Sequence, residues 1–269
     1  MKILAVLAEA ETTQTCLAAA VAAAARLGNS RIEALHIVVD PKVLVTSDEE
    51  IDIQFLRERR EGSATDRADA VRRQFLAFVA GMGDDSPHID WRTLPGAEEP
   101  EVIRAAECAD LVVLASPHDL DGHDARHAAL FRTGKPALLV PDRWRTTGQF
   151  ADRIVIYWAG SDHPTPALEA AVPWLQLAST VTVLLVDDPV ERSAWISQWL
   201  EDRGIHAAIK AVDRHHDSTE HCVRAAAQEL AADLLVVGPR THSAIVDWLT
   251  GGATHAIVAH AELPILASH

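Results

Sequence analysis

The chain of 269 residues is long enough for two domains of ordinary size, and 48% of its residues are hydrophobic, which supports a sizeable core. Its net charge of −15 argues against nucleic-acid and anionic membrane partners, because both need a basic protein surface. Three scattered cysteines are typical of a reducing compartment, so we expect a cytoplasmic protein.

Short apolar runs alternate with helical patterns through the first half of the chain. The apolar runs that predict strands lie at residues 2–7, 32–39, 88–94, 111–115 and 137–140. Helical patterns lie between them at residues 12–27 and 98–108, and a loop with a short helix is expected at 119–131. Thr12 or Thr13 is the predicted cap of the first helix.

A long charged insert, residues 41–83, interrupts this alternation. Apolar residues recur at helical spacing between residues 47 and 78, which predicts one long or two shorter amphipathic helices. Gly62 and Ser63 are the expected break between them.

The same order recurs in the second half, without the insert. Strands are predicted at residues 154–158, 181–186, 207–212, 234–237 and 264–267, and helices at 166–177, 190–203, 219–231 and 254–260. The clearest internal match aligns Ala109-Asp110-Leu111 with Ala232-Asp233-Leu234. Repeated strand–helix alternation predicts an α/β protein with parallel sheets and helices on both faces. We therefore expect two domains, residues 1–142 and 152–269.

A glycine-rich stretch follows the strand at residues 234–237. Gly238 ends that strand, where the backbone must turn sharply. Gly251 and Gly252 precede the last predicted helix, whose first N–H groups and dipole would attract an anion. Thr254 would cap this helix or bind a phosphate oxygen. Together these features predict a phosphate-binding loop.

This stretch resembles the nucleotide-loop signature of the universal stress protein family, which reads Gly, two residues, Gly, nine residues, Gly, then Ser or Thr. Gly238, Thr241, Gly251 and Gly252 occupy its four places, so Thr241 replaces a glycine and Gly252 replaces the hydroxyl residue. The flanking segments resemble those of the tandem two-domain bacterial branch: His242-Ser243, Gly251-Gly252-Ala253-Thr254 and Leu263-Pro264-Ile265-Leu266.

The resemblance implies two flavodoxin-like (adenine nucleotide alpha hydrolase-like) parallel five-stranded sandwiches in tandem. It also implies a non-enzymatic stress-response or regulatory factor whose second domain binds an adenine nucleotide such as ATP. The ligand should lie where a switch in strand order brings the ends of the first and fourth strands together. The residues expected to contact it are Gly160, Ser161, Gly238, Thr241, His242, Ser243, Gly251, Gly252, Ala253 and Thr254.

Two departures from the family pattern limit the site. Ala159 stands where ATP-binding members carry an Asp that contacts the nucleoside, so that contact is lost. In the first domain, Glu9 follows the first strand and would repel a phosphate, and no Gly-Gly pair precedes the fifth strand. We expect a degenerate site there.

Other polar clusters have weaker functional interpretations. His215, His216 and His221 lack zinc-ligand spacing, so a solvated loop is expected rather than a metal site. Ser161 and His163 lack the Gly-x-Ser-x-Gly pattern of a hydrolase, so no catalytic residue is predicted. Trp195 and Trp199 share one helix face and should pack inward or against a partner. We therefore predict a packing role for them and not a ligand contact.

Two alternative functions stay open. One is a structural interaction module with an empty cleft, and the other is a weak ATP-hydrolysing enzyme, for which Asp247 and His242 are the nearby candidates. The final strands, residues 137–140 and 264–267, are apolar and expected at sheet edges, which meet in the family. We therefore expect an intramolecular pseudo-dimer, with a homodimer as a further assembly.

Overall fold

The structure, a computed structural model, describes residues 1–28, 30–40, 58–83, 86–116, 120–146, 148–159, 163–237 and 262–268. The chain divides into two compact units, Met1–Lys135 and Pro136–His269. The domain bounds expected from the sequence, residues 1–142 and 152–269, stay a prediction. No helix in these described ranges is long and apolar enough to cross a membrane.

Unit 1, Met1–Lys135, alternates strands and helices in the predicted order. Its elements are β1 Lys2–Val6, α1 Ala10–Leu27, β2 Arg31–Val38, α2 Ala64–Ala80, β3 Ile89–Pro95, α3 Glu98–Ala106, β4 Leu111–Ala115 and α4 Leu120–Phe131. The strands lie in the order β3-β2-β1-β4, and the pairs are parallel. Helix α1 packs on α2 and α3 packs on α4, as right-handed crossovers on either side of β1 require.

Unit 2, Pro136–His269, repeats this arrangement. Its elements are β5 Ala137–Val140, β6 Arg153–Tyr157, α5 Pro166–Leu175, β7 Thr180–Val186, α6 Ala194–Glu201, β8 Ala207–Val212, α7 Thr219–Glu229, β9 Leu234–Val237 and β10 Ile265–Ala267. The strand order is β5-β10-β9-β6-β7-β8, and a 3₁₀ turn, Val190–Ser193, precedes α6. The α/β fold class with mostly parallel sheets is confirmed.

The internal sequence match corresponds to a shared structural role for two aspartates. The Asp110 carboxylate accepts a hydrogen bond from the Lys2 backbone N–H at 2.8 Å, and the Asp110 N–H donates to the Lys2 carbonyl at 2.8 Å. In unit 2 the Asp233 carboxylate accepts from the N–H groups of Asp152 and Arg153, both at 3.0 Å. Each aspartate thus holds the start of the first strand beside the start of the fourth.

The two strands expected at sheet edges pair with one another. Strand β5 runs antiparallel to β10, with Leu139 opposite Ile265 and Leu138 opposite Leu266. All four side chains are buried. The backbone groups along one side of each strand are therefore satisfied within unit 2.

Helix α1 begins earlier than the sequence predicted. Glu9 occupies the N-cap position without a side-chain cap bond, and Thr12 and Thr13 lie inside the helix. The Thr13 hydroxyl donates to the Glu9 carbonyl at 2.7 Å. The predicted threonine cap is wrong because this hydroxyl bonds back to the carbonyl four residues earlier.

The break predicted at Gly62 and Ser63 is confirmed as the start of α2. Gly62 has a φ of 84°, a conformation that glycine adopts readily. The Ser63 hydroxyl accepts from the Asp66 N–H at 3.2 Å, and the Asp66 carboxylate accepts from the Ser63 N–H at 3.1 Å. This reciprocal pair is a capping box. Residues 41–57 of the insert lie outside the described ranges.

Candidate functional site

The carboxyl ends of β6 and β9 lie side by side in unit 2. Their parallel register pairs Tyr157 with Val237, the last residue of each strand. The strand order reverses here, because β7 lies on one side of β6 and β9 on the other. In open parallel sheets the crevice at such a switch point is where ligands bind. The predicted adjacency of the first and fourth strands is therefore confirmed.

The predicted contact residues themselves lie outside the described ranges. They are Gly160, Ser161, Gly238, Thr241, His242, Ser243, Gly251, Gly252, Ala253 and Thr254. The same holds for Asp247 and for the helix predicted at residues 254–260. What the structure establishes is the position of the strand ends that lead into them: Ala159 immediately precedes Gly160, and Val237 immediately precedes Gly238.

Trp158 and Ala159 follow β6 directly. The Trp158 backbone N–H donates to the Leu184 carbonyl of β7 at 3.0 Å, which continues the ladder one residue past the strand. The Trp158 side chain is only 2% exposed. Ala159 has no polar side-chain atom, so its side chain can offer no hydrogen bond to a nucleoside.

Three indole rings stack beside this strand end. The Trp158 and Trp195 centroids are 5.5 Å apart with planes 7° from parallel, and Trp195 and Trp199 are 6.2 Å apart at 25°. The Arg203 guanidinium lies 3.7 Å from the Trp199 ring centroid, within cation–π range. Trp195 and Trp199 do lie on one face of α6, as their spacing predicts.

Trp158 is the residue of this site that the sequence analysis did not single out. Its indole N–H is buried and meets no acceptor among the described residues. Leaving a buried donor unsatisfied costs about 1–3 kcal/mol. The available signal was a tryptophan directly after the first strand of the unit, combined with a tryptophan pair one helical turn apart after the second.

Unit 1 has different residues at the corresponding place. The Leu7 N–H donates to the Leu35 carbonyl at 2.8 Å, the same bond that Trp158 makes to Leu184, so Leu7 corresponds to Trp158. Two residues further on, Glu9 corresponds to Gly160 and is 6% exposed. A buried carboxylate at this strand end opposes the approach of a phosphate.

A second polar cluster follows β7 and β8. The Asp187 carboxylate accepts from the Arg214 backbone N–H at 2.8 Å and from its guanidinium at 3.0 Å. Burial, followed by the nearby carboxylates of Asp217 and Asp187, raises the pKa of the Cys222 thiol.

Within the described ranges, no group of three or more His, Cys, Asp or Glu residues could hold a metal ion.

Each unit is an α/β sandwich with a mostly parallel sheet in which the first and fourth strands are adjacent. This arrangement defines a flavodoxin-like fold. The chain is similar over 99% of its length to a universal stress protein from Archaeoglobus fulgidus, with 13% identity and a TM-score of 0.61 over 95% of that chain. The similarity to universal stress proteins is therefore confirmed at the level of the fold.

Two structures from Pseudomonas aeruginosa are also similar. One is described as a candidate universal stress protein and the other as functionally unknown; both have a TM-score of 0.55, with identities of 13% and 14%. Each alignment covers 99% of this chain and 92% of the other. No protein-family model matches the sequence. No curated protein matches it either.

Proposed function

We propose that this protein is a non-enzymatic regulatory factor of the universal stress protein type that binds an adenine nucleotide, ATP, in unit 2. The observation that carries the proposal is the pairing of Tyr157 with Val237. These two strand ends lie at the switch in strand order, and the predicted ligand loops, which begin at Gly160 and Gly238, follow them along the sequence. The three cysteines are free, which supports a cytoplasmic location.

In this proposal the phosphates meet the backbone N–H groups of Gly251, Gly252 and Ala253, ahead of the last predicted helix. Thr254 adds a hydroxyl donor in place of the one that Gly252 lacks. N–H groups and the positive end of a helix dipole suit an anion, and glycine lets the backbone approach closely. Ala159 leaves the nucleoside without a carboxylate partner, so affinity is expected to be modest.

Binding is confined to unit 2 in this proposal because the strand end of unit 1 differs in charge. Glu9 is buried where Gly160 stands in the repeat. Bringing a phosphate beside a buried carboxylate is unfavourable, since two like charges in a poorly hydrated place repel strongly. One nucleotide per chain is therefore the expected stoichiometry.

Titration calorimetry with ATP tests the proposal. Gly251→Val should abolish binding, because a branched side chain fills the space the phosphates need. Ala159→Asp should tighten binding by about 1–3 kcal/mol, or roughly five- to 150-fold, if the new hydrogen bond is charge-assisted. The matched control is Ala8→Asp, the corresponding change in unit 1, which should leave the binding heat unchanged.

The outcomes separate the proposal from its two alternatives. If the wild type gives no heat at millimolar ATP and Ala159→Asp binds no better, the protein is a structural interaction module with an empty cleft. If the protein instead releases phosphate from ATP in the presence of Mg²⁺, and a substitution at Asp247 stops this release, the protein is a weak ATP-hydrolysing enzyme.

A further inference from the structure

We propose that the Trp158 indole N–H is a recognition donor for the ligand of unit 2, hydrogen-bonded to an acceptor atom of the nucleotide at the carboxyl end of β6. This inference rests on the proposed function and adds a residue that sets specificity. It assigns to Trp158 part of the role that Ala159, next in the chain, cannot fill.

Both the backbone and the ring of Trp158 are held in place. The backbone is tied to β7 through the 3.0 Å bond to the Leu184 carbonyl. The ring lies flat against Trp195, 5.5 Å between centroids and 7° from parallel, and Trp195 is itself backed by Trp199. A buried side chain stacked in this way has few alternative rotamers, so the direction of its N–H is set before a ligand binds.

The indole N–H of Trp158 has no acceptor within the part of the chain that the structure describes. Tryptophan donates one hydrogen bond and accepts none, and buried donors in folded proteins nearly always find an acceptor. The Trp158 N–H is buried without one among the described residues. It belongs to the residue one position past Tyr157, the strand end paired with Val237. A nucleotide offers ring nitrogens and ribose hydroxyls, which are neutral groups that can accept this bond.

The repeat and a second tryptophan supply internal comparisons. Unit 1 has Leu7 at the corresponding position, so the donor is present only in the unit with the predicted glycine loop. Trp91, within β3 of unit 1, also has a buried indole N–H without an acceptor among the described residues. The centroid of its ring lies 4.7 Å from that of Phe75. Trp91 is therefore the internal comparison: its N–H is also unpartnered among the described residues, but it lies within a strand of unit 1 and not after the end of β6.

The test is ATP affinity in the full-length protein. Trp158→Phe keeps an aromatic ring but loses the N–H and some volume. Replacing Trp158 with benzothienylalanine keeps nearly the whole shape and exchanges the N–H for sulfur, so it remains informative if the phenylalanine variant folds poorly. Both should weaken ATP binding about three- to tenfold, the loss of one hydrogen bond between neutral groups. Trp91→Phe should bind ATP like the wild type.

A second measurement distinguishes recognition from packing. In ¹⁵N-labelled protein, the indole resonance that disappears in Trp158→Phe should shift on adding ATP, and the Trp91 resonance should not. If the benzothienylalanine protein binds ATP as tightly as the wild type, the role of Trp158 is refuted and the nucleotide proposal stands. If the wild type binds no ATP, both are refuted.

Discussion

Individual residues of this protein differ sharply in chemical accessibility, and the cysteines show it best. Cys16 lies on α1, and its thiol donates to the carbonyls of Val6 at 3.5 Å and Val113 at 3.4 Å. Burial raises the pKa of Cys16 to about 12, only partly opposed by a backbone hydrogen bond at Ala115. The thiolate is the reactive form, so Cys16 is inert at ordinary pH.

Iodoacetamide at a pH of about 8, near the ordinary thiol pKa, should therefore label the native protein at Cys108 alone. Cys108 is exposed, whereas Cys16 and Cys222 are buried. Peptide mass spectrometry reads out the sites, and the urea-denatured protein, in which all three should react, is the control. Labelling of native Cys16 at the rate of Cys108 would contradict the buried environment.

The residues that line the candidate site were predictable to different degrees. The absence of a carboxylate at Ala159 is evident from one position of the sequence, so the sequence alone is enough to predict it. The stack of Trp158 on Trp195 joins two elements separated along the chain, and no periodic pattern links such residues. Glu9 shows a third case: its acidic side chain is evident in the sequence, but that it is buried is evident only from the structure.

At the scale of elements, helix caps provide a measurable local contribution. Ser63→Ala removes the hydroxyl that accepts from the Asp66 N–H and should lower the free energy of unfolding by about 1 kcal/mol. Thr165→Ala, which removes the acceptor for the Leu168 N–H at the start of α5, should cost a similar amount. Urea titration followed by circular dichroism measures both.

Ser63→Thr is the control for the first cap, because it retains a hydroxyl acceptor. It should remain within a few tenths of a kcal/mol of the wild type. Equal losses for the alanine and threonine variants would mean that the hydroxyl bond does not stabilise α2.

Strand prediction succeeded where an apolar run is short and sharply bounded. Strands β4, β5, β8 and β9 have the bounds predicted from the sequence, since polar residues, Gly or Pro flank each of these runs. The first residues of the helices were harder to predict from the sequence. Threonine serves equally well as a cap and as an interior residue bonded back to the preceding turn, and only the backbone around Glu9 decides between them.

At the scale of the whole molecule, the unit boundary makes a prediction about fragments. Strand β5 belongs to Pro136–His269 and covers one side of β10. A fragment of residues 136–269 should therefore be more stable than one of residues 152–269, which lacks β5. Losing the buried Leu138 and Leu139 alone should cost several kcal/mol, at about 1.5–3 kcal/mol for each side chain.

Thermal unfolding and sedimentation of the two fragments would check this expectation. The shorter fragment should melt at a lower temperature and self-associate, because β10 would present an unpaired edge. Equal melting temperatures and two monomers would show that β5 contributes nothing to unit 2.

The pairing of β5 with β10 also means that β5 is synthesised well before the strand that it pairs with. Strand β5 ends at Val140 and β10 begins at Ile265, 265 − 140 = 125 residues later. At about 5–20 residues per second, the nascent chain carries β5 for roughly 6–25 s before its partner is made. The strand is only four residues long, with Lys135 and Pro136 before it and Pro141 after it. Short length, lysine and proline all discourage an edge from recruiting a neighbouring chain, so they would protect β5 during translation.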